Sequence, residues 1–214
     1  ISFSSSRPNV VEESSLLNMK KIAEIQPAAF MPYTAPPTMT ERAVLILLLI
    51  LAAFLRVHKL GEVPPGIHDD EIINVQIVDQ LRAGAPISVF YEAGEGREGL
   101  YHLLLLASRA LTSQVPYWYR LPSVLCSLLT IVLVHRLSRR WFGPWVALVA
   151  AGGLAVTFWP VYLGREALRG GTFPLVSAGM MLAFWRGLEH PDQTDNGKRS
   201  CSPIVWFVLA GLLL

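Results

Sequence analysis

Residues 42–71 read RAVLILLLILAAFLRVHKLGEVPPGIHDDE, an apolar run followed by a proline-rich turn and three consecutive acidic residues. Residues 43–55 carry no charge, and Arg56 and Lys59 beyond them can snorkel to lipid headgroups and extend the run. We therefore predict a first membrane span over residues 43–59. The triplet Asp69, Asp70 and Glu71 follows this span, so carboxylates are expected close to the bilayer surface.

The composition of the whole chain supports a membrane protein. Hydrophobic residues make up 52% of the 214 residues and charged residues only 16%, and the apolar residues form blocks. The formal net charge of +2 is too small to indicate nucleic-acid binding, since the basic residues lie between the blocks. Cys126 and Cys201 have no metal-ligand spacing. We predict an all-α polytopic protein that is embedded in the lipid bilayer and binds no nucleic acid.

Four further blocks are predicted to span the bilayer, at residues 118–136, 142–163, 170–187 and 203–214. The last one reaches only about half of the ~20 residues that a span needs, so we expect a truncated chain. Because later spans would complete the cavity of such a protein, we expect this stretch alone to be inactive. Residues 1–41 lack a sustained apolar period and are expected to form a polar, disordered cytoplasmic tail.

Basic residues decide the orientation of these spans. They concentrate before the first span, over residues 136–140 and over residues 186–199, and positive loops are normally cytoplasmic. All three groups fall on one side only if the apolar block 99–112 does not cross the bilayer. Its length agrees, because a helix over this block reaches only about 21 Å against a hydrocarbon core of ~30 Å. We predict a cytoplasmic N-terminus and an external loop with two surface helices, at residues 70–83 and 99–112.

The acidic triplet would begin the first of these surface helices. Carboxylates are favoured at a helix N-terminus by the helix dipole, so simple capping is one interpretation. Capping needs one acidic residue and three are present, which favours a functional role. The preceding turn, Pro64-Pro65-Gly66, is rigid and would hold the triplet in place.

Arginines on the predicted external side oppose the positive-inside trend. Arg165 and Arg169 lie between the third and fourth spans, and Arg120 begins the second span. They are either snorkelling residues at helix ends or an anion site, because guanidinium groups bind phosphate oxygens bidentately. Arg97 and Glu98 are either a solvated ion pair or part of the same site. Carboxylates that activate a hydroxyl and arginines that stabilise a leaving phosphate suit a lipid-linked phosphate substrate.

Several short motifs occur in an order that resembles a known family. They are Pro64-Pro65-Gly66 before Asp70-Glu71, Gly96-Arg97-Glu98-Gly99-Leu100-Tyr101, Arg120-Leu121-Pro122-Ser123, Arg139-Arg140-Trp141-Phe142-Gly143, and Phe158-Trp159-Pro160 before Gly164-Arg165. Their order and spacing over residues 42–188 resemble the N-terminal part of the GT-C membrane glycosyltransferases. More narrowly, the chain is similar to bacterial members of glycosyltransferase family 39, the dolichyl-phosphate-mannose protein mannosyltransferase group, which includes the aminoarabinose transferases of lipid A.

The resemblance implies a GT-C-type transmembrane bundle with two juxtamembrane helices in its first external loop. It implies a hexosyl- or pentosyltransferase that moves a sugar from a polyprenyl-phosphate carrier to a lipid, glycan or protein acceptor outside a bacterial plasma membrane. Asp70 would be the catalytic base, with Glu71 beside it. The implied substrate-binding residues are Arg97, Glu98, Arg120 and Arg165, with Arg165 at the carrier phosphate.

The chain also departs from the family pattern. Gly99 stands where related members often have proline, and Asp69 is an additional acid. Some GT-C enzymes bind a metal through a carboxylate in the second external loop, where this chain has Glu166. We assign no metal ligand, and a divalent metal stays open as a cofactor.

Two other functional classes are compatible with the sequence. One is a transporter or flippase of lipid-linked sugars, and the other is a non-catalytic assembly subunit. A transporter is expected to have ionisable or helix-breaking residues near the middle of its spans. The predicted spans offer only Gly152, Gly153 and Pro174 there, which favours the enzyme.

Overall fold

A computed structural model describes residues 32–93, 96–188 and 203–212. The expected tail, up to residue 31, therefore lies outside the described residues, and so does Cys201. The elements run in the order α1 (Met39–Val57), α2 (Asp69–Arg82), β1 (Phe90–Tyr91), β2 (Arg97–Glu98), α3 (Gly99–Leu111), α4 (Tyr117–Phe142), α5 (Pro144–Val156), α6 (Phe158–Leu163), a 3-10 helix (Arg169–Thr172), α7 (Phe173–Leu188) and α8 (Pro203–Leu212). The described chain is mostly helical, as predicted, and the expectation of an all-α fold needs one correction for the short hairpin of β1 and β2.

Helix α1 combines a buried stripe with an exposed apolar face. It begins at Met39 because the Thr38 hydroxyl accepts a hydrogen bond from the Glu41 backbone N–H at 3.1 Å. Ala52 on its inner side is fully buried. The outer side exposes large apolar side chains at Ile46, Leu47, Ile50 and Phe54. A continuous apolar surface of this kind is typical of a helix that faces lipid or a partner.

Helix α4 is the central element of the bundle. It has 26 residues and, among the described residues, is the one helix that is long and apolar enough to cross a membrane, as judged by length and composition. Helices α1, α5 and α7 pack around it. Ala147, Ala151 and Ala155, four residues apart on α5, are fully buried, and small side chains at this spacing allow close approach of helix backbones.

The third predicted span, over residues 142–163, is not one continuous helix. Helix α4 includes Phe142, Gly143 turns the chain with φ 85°, and α5 ends at Val156. Thr157 is extended, with φ −69° and ψ 148°, before α6 begins. Such a break leaves carbonyl groups at the end of α5 without partners in their own helix.

Arg56 satisfies these carbonyl groups. Its Nη2 donates to Leu154 O at 2.8 Å and its Nη1 to Ala155 O at 3.1 Å, while its Nε donates to Ser127 Oγ at 2.8 Å. The Arg56 side chain is fully buried. The prediction that Arg56 snorkels to lipid headgroups is therefore wrong, and this residue instead connects α1, α4 and α5.

A two-stranded antiparallel hairpin pairs Tyr91 with Arg97 and leads directly into α3. At its end the Gly99 N–H donates to Val89 O at 2.7 Å. A Cβ at position 99 would lie 2.1 Å from Ser88 O. The proline that the resemblance suggests at this position would lose the hydrogen bond and collide with the segment that precedes β1. The departure from the family pattern therefore has a local structural reason.

Helix α2 packs against α3, and α3 packs against α4. Their bounds lie within one residue of the predicted surface helices at 70–83 and 99–112. One buried apolar cluster joins them to α4 and to the loop after α6, and it consists of Val78, Tyr101, Leu105, Trp118, Tyr119 and Ala167. This packing places the acidic N-terminus of α2 beside the start of α4.

Helices α7 and α8 occupy the segments predicted as the last two spans. The fourth predicted span, over residues 170–187, begins as the 3-10 helix and continues as α7. Helix α8 packs against α7, and the Arg186 guanidinium lies 4.9 Å from the centre of the Trp206 ring. Residues 213 and 214 of the fifth predicted span lie outside the described residues.

Candidate active site

A buried ion pair joins the start of α2 to the start of α4. The Glu71 and Arg120 residues are 0% and 1% exposed. Arg120 Nε and Nη2 each lie 3.2 Å from a Glu71 carboxylate oxygen, so the pair is bidentate. Arg120 also donates hydrogen bonds to the backbone carbonyl oxygens of Leu60, Pro64 and Gly66. Arg120 therefore fixes the predicted Pro64-Pro65-Gly66 turn to α4, and Gly66 is required there because its φ is 81°.

Glu71 also binds the loop that follows α6. Its Oε1 accepts a hydrogen bond from the Ala167 N–H at 2.8 Å, and its Oε2 accepts one from the His68 N–H at 3.4 Å. Each carboxylate oxygen thus has two donors. In this arrangement the carboxylate connects α2, α4 and the loop after α6, and no lone pair is left for a substrate proton.

Arg165 is a second buried arginine that binds backbone carbonyls. It is 7% exposed, and its burial, followed by the proximity of Arg120, lowers the pKa of its guanidinium. All three of its nitrogens donate, to the carbonyl oxygens of Leu55, His58, Lys59 and Val63. Arg165 therefore closes the end of α1 and the turn that follows it.

Asp70 differs from Glu71 because its carboxylate is both held and open to solvent. The Asp70 side chain is 59% exposed, and its Oδ1 lies 2.5 Å from Arg97 Nη2. Arg97 itself is 3% exposed. Its Nε is buried and has no hydrogen-bond partner in the part of the chain that the structure describes. Asp69 is exposed and its side chain makes no hydrogen bond to a described residue.

Asn74 and His102 extend this network into the protein. Asn74 Oδ1 accepts a hydrogen bond from Arg97 Nη1 at 3.3 Å and lies 3.1 Å from His102 Nε2, while Asn74 Nδ2 donates to Ala167 O at 2.8 Å. The second ring nitrogen of His102 lies 3.0 Å from Glu98 O. Burial lowers the pKa of His102. The network therefore orients Arg97, and through it Asp70, from fully buried neighbours.

Glu98 and Arg169 form a second, exposed ion pair beside the hairpin. Arg169 Nη1 lies 2.8 Å from Glu98 Oε2 and 2.9 Å from Gly96 O. A hydrogen bond from its own backbone N–H and one from Arg169 lower the pKa of the Glu98 carboxyl. The Arg169 side chain is 39% exposed, so this guanidinium is accessible to a ligand.

The same pair lines an apolar cavity of about 610 Å³ between α3, the 3-10 helix and α7. The walls are mostly apolar and include Leu100, Leu104, Phe173, Leu175 and Val176. An ion pair at one place and hydrocarbon walls elsewhere give the cavity an amphipathic character. It matches a ligand with a charged head and a long apolar chain.

The residues around Glu166 fit a metal ion only incompletely. Glu166 is 3% exposed and its Oε1 lies 3.2 Å from His68 Nε2. Over the described residues, no group of three or more His, Cys, Asp and Glu side chains converges. Two ligands fall short of the three or more that protein metal sites usually supply. We therefore assign no step of the chemistry to a metal.

The structure brings some predicted site residues together and separates others. Asp70 and Arg97 are in direct contact, and Glu98 follows Arg97 in β2. Glu71, Arg120 and Arg165 are buried in structural contacts. Sequence reasoning missed Asn74 and His102, although their spacing was a signal. Asn74 follows Asp70 by four positions on α2, and His102 follows Glu98, the residue before α3, by four positions. Residues four apart share a helix face.

Comparison with known proteins places the chain in a family. The profile described as dolichyl-phosphate-mannose-protein mannosyltransferase matches residues 100–212, just over half of the chain. The matched range includes His102, Arg120, Arg165 and Arg169, and lies entirely after Asp70. No curated protein and no solved structure matches the chain. The chain therefore belongs to the dolichyl-phosphate-mannose-protein mannosyltransferase family, whose members are membrane glycosyltransferases.

Proposed function

We propose that the protein transfers a sugar from a polyprenyl-phosphate carrier to a lipid, glycan or protein acceptor at the outer face of a bacterial plasma membrane. Asp70 is the base in this proposal. The observation that carries it is the contrast within the acidic triplet, since Asp70 alone combines solvent exposure with an ionic contact to a buried arginine. Asp69 lacks such a contact among the described residues, and Glu71 is saturated by hydrogen bonds.

The donor binds in the apolar cavity beside Arg169. Its isoprenoid chain lies along the walls formed by α3 and α7, and its phosphate lies at the Glu98–Arg169 pair. Support comes from the cavity's apolar lining and from the exposure of Arg169. Arg120 and Arg165 are less suited to this contact, because their nitrogens are committed to protein acceptors. In this proposal they are positioning residues.

The reaction is a direct displacement at the anomeric carbon. Asp70 takes the proton of the acceptor hydroxyl while the acceptor oxygen forms a bond to that carbon. The bond between the anomeric carbon and the carrier phosphate breaks, and its electron pair leaves on the phosphate oxygen. The ionised phosphate needs charge stabilisation more than a general acid, and Arg169 supplies it, with Arg97 held nearby by the hairpin.

A transporter is the alternative that two observations favour. The break at Thr157 and the buried Arg56 resemble the discontinuous helices and buried charges of transporters. The donors of Arg56 are nevertheless bound to protein oxygens. Arg56 also lies in the last turn of α1, away from the middle of that helix. Both facts favour a structural role for the break and keep the enzyme as the proposal.

Transfer of labelled sugar from a polyprenyl-phosphate donor by the full-length protein in membranes tests the proposal. Asp70→Asn should lower the rate by about 10²–10⁴-fold, the usual contribution of a general base. Asp69→Asn is the matched control and should keep near-normal transfer. Arg169→Gln should raise the KM for the donor, whereas Arg82→Gln, at the exposed end of α2, should leave it unchanged.

Two outcomes would overturn different parts of the proposal. Near-normal transfer by Asp70→Asn, at normal protein levels in the membrane, would remove Asp70 as the base. Movement of intact lipid-linked sugar across a bilayer by the wild-type protein, without transfer to any acceptor, would favour the transporter.

A further inference from the structure

A second charged cavity lies at the opposite end of the bundle, where α1 begins and where α4 and α7 end. Its volume is about 410 Å³. The segment before α1 forms one wall, because the Tyr33 N–H donates to Arg140 O at 2.8 Å and Arg139 Nη2 donates to Ala35 O at 2.8 Å. Three helices and an anchored segment therefore enclose this cavity, and none of the proposed catalytic residues lines it.

The cavity is strongly positive. Among the residues that the structure describes, its lining includes one carboxylate, Glu41, and five arginines, which are Arg42, Arg136, Arg139, Arg140 and Arg186. The carboxylate is already bound, since Arg139 Nε lies 2.5 Å from Glu41 Oε1. Arg42 and Arg136 are exposed and have no side-chain hydrogen bond or ion pair to any residue that the structure describes. The positive charge of these two guanidinium groups favours an anion in the cavity.

The apolar residues of the cavity indicate that the anion belongs to a lipid. On each of the three helices, an apolar lining residue lies three or four positions from an arginine, toward the middle of the bundle. The pairs are Leu45 with Arg42, Val132 with Arg136, and Leu182 with Arg186. Three or four residues correspond to about 4.5–6 Å along a helix. The cavity is therefore basic at its outer level and apolar one helical turn deeper.

We propose that this cavity binds the phosphate headgroup of an anionic phospholipid, with the acyl chains against the apolar level. The lipid belongs to the leaflet at this end of the bundle, which is the cytoplasmic leaflet in the proposed orientation. Guanidinium groups bind phosphate oxygens in a bidentate manner. The lipid would also bridge α1, α4 and α7 at the end remote from the candidate active site. This site does not depend on the proposed transfer reaction.

Native mass spectrometry of the full-length protein in a mild detergent tests the lipid site. Phosphatidylglycerol should bind at least tenfold more tightly than zwitterionic phosphatidylcholine. Arg42→Gln combined with Arg136→Gln should weaken phosphatidylglycerol binding by about 25-fold, since a basic residue near an anionic lipid surface contributes about fivefold. The corresponding lysine variant keeps the charge and should lose less, which separates the loss of charge from misfolding.

The matched control removes two basic residues from the opposite end of the bundle. Lys59→Gln combined with Arg82→Gln should leave the phosphatidylglycerol affinity unchanged. Equal binding of the two lipids, or an equal loss in this control, would overturn the proposal. Full displacement of phosphatidylglycerol by millimolar inorganic phosphate would do so as well, because it would show a site for the free anion without a requirement for acyl chains.

Discussion

Glu71→Gln tests whether Glu71 holds the candidate site together or takes part in the reaction. Each oxygen of the Glu71 carboxylate accepts two hydrogen bonds, one from Arg120 and one from a backbone N–H, of Ala167 or His68. A glutamine amide has a single oxygen. Either orientation of the amide therefore places an NH₂ group against two donors. The variant loses two accepted hydrogen bonds and the charge opposite a buried arginine.

The expected cost follows from the burial of the pair. Removal of one partner of a buried ion pair typically destabilises a protein by about 3–5 kcal/mol. Two lost hydrogen bonds that involve charged groups, at about 1.5–3 kcal/mol each, give a similar range of about 3–6 kcal/mol. If 150–250 residues unfold together, this cost corresponds to a fall of roughly 6–20 °C in the temperature of unfolding.

Thermal unfolding of the full-length protein in detergent measures this shift. A thiol-reactive dye is a suitable probe in a Cys201→Ser background, because Cys126 is 6% exposed in the folded chain. Glu62→Gln is the matched control, since Glu62 pairs with Lys59 on the surface, with side-chain exposures of 70% and 57%. Such pairs contribute at most about 1 kcal/mol. If Glu71→Gln unfolds at the wild-type temperature but loses all sugar transfer, the reasoning is refuted and the base is Glu71 instead of Asp70.

Three further substitutions test other parts of the structure. Gly99→Pro should destabilise the protein by about 2 kcal/mol or more, because it combines a lost hydrogen bond with a clash. The control Gly153→Ala, with open space around its Cβ, should not. Equal unfolding temperatures of the two variants would contradict this prediction. Arg56→Lys should lower the free energy of unfolding by about 2–4 kcal/mol, because contacts to carbonyl groups are lost. The control Arg42→Lys, at an exposed position, should lower it by less than about 0.5 kcal/mol. Equal losses of stability in thermal unfolding would contradict the role of Arg56 at the helix break. Burial lowers the pKa of His102 from 6.5. As the pH drops below about 6.5, the imidazole of the unfolded chain is therefore protonated before that of the folded chain, and the stability of the folded protein should fall. His102→Gln should flatten this part of the stability profile in thermal melts, and an unchanged profile would contradict the lowered pKa.

The helix positions could be predicted from the sequence, but the break at Thr157 was missed. Apolar blocks have the length and composition of helices, and their limits follow from glycine, proline and charged residues. Residues 142–163 form one such block, so the apolar pattern contains no interruption. The available signal was local: Thr157 can precede a helix as its cap, and Pro160 suits a first helical turn. The missed break also explains why Arg56 was misplaced, since its carbonyl partners exist only because α5 ends.

The candidate site was predicted less completely than the fold. Asp70, Arg97 and Glu98 could be selected because their residue types and positions in the external loop indicate chemistry. The roles of Arg120 and Arg165 stay predictions at the sequence level, because arginine is equally suited to bind a phosphate or several carbonyls. The choice depends on which backbone oxygens the turn after α1 brings within reach. Those distances follow from tertiary packing and leave no trace in the sequence pattern.

Counting occupied donors is therefore the physical basis for distinguishing the arginines of this bundle. Arg56, Arg120 and Arg165 are each at most 7% exposed, and their guanidinium nitrogens donate to protein oxygens. A phosphate could bind such a group only by replacing contacts that connect helices, so the gain would be offset by a loss of fold stability. Arg97 keeps a free Nε among the described residues, and Arg169 is partly exposed. Substitution of the first three should lower thermal stability and substrate turnover together, whereas substitution of Arg169 should change the donor KM in a protein that unfolds normally.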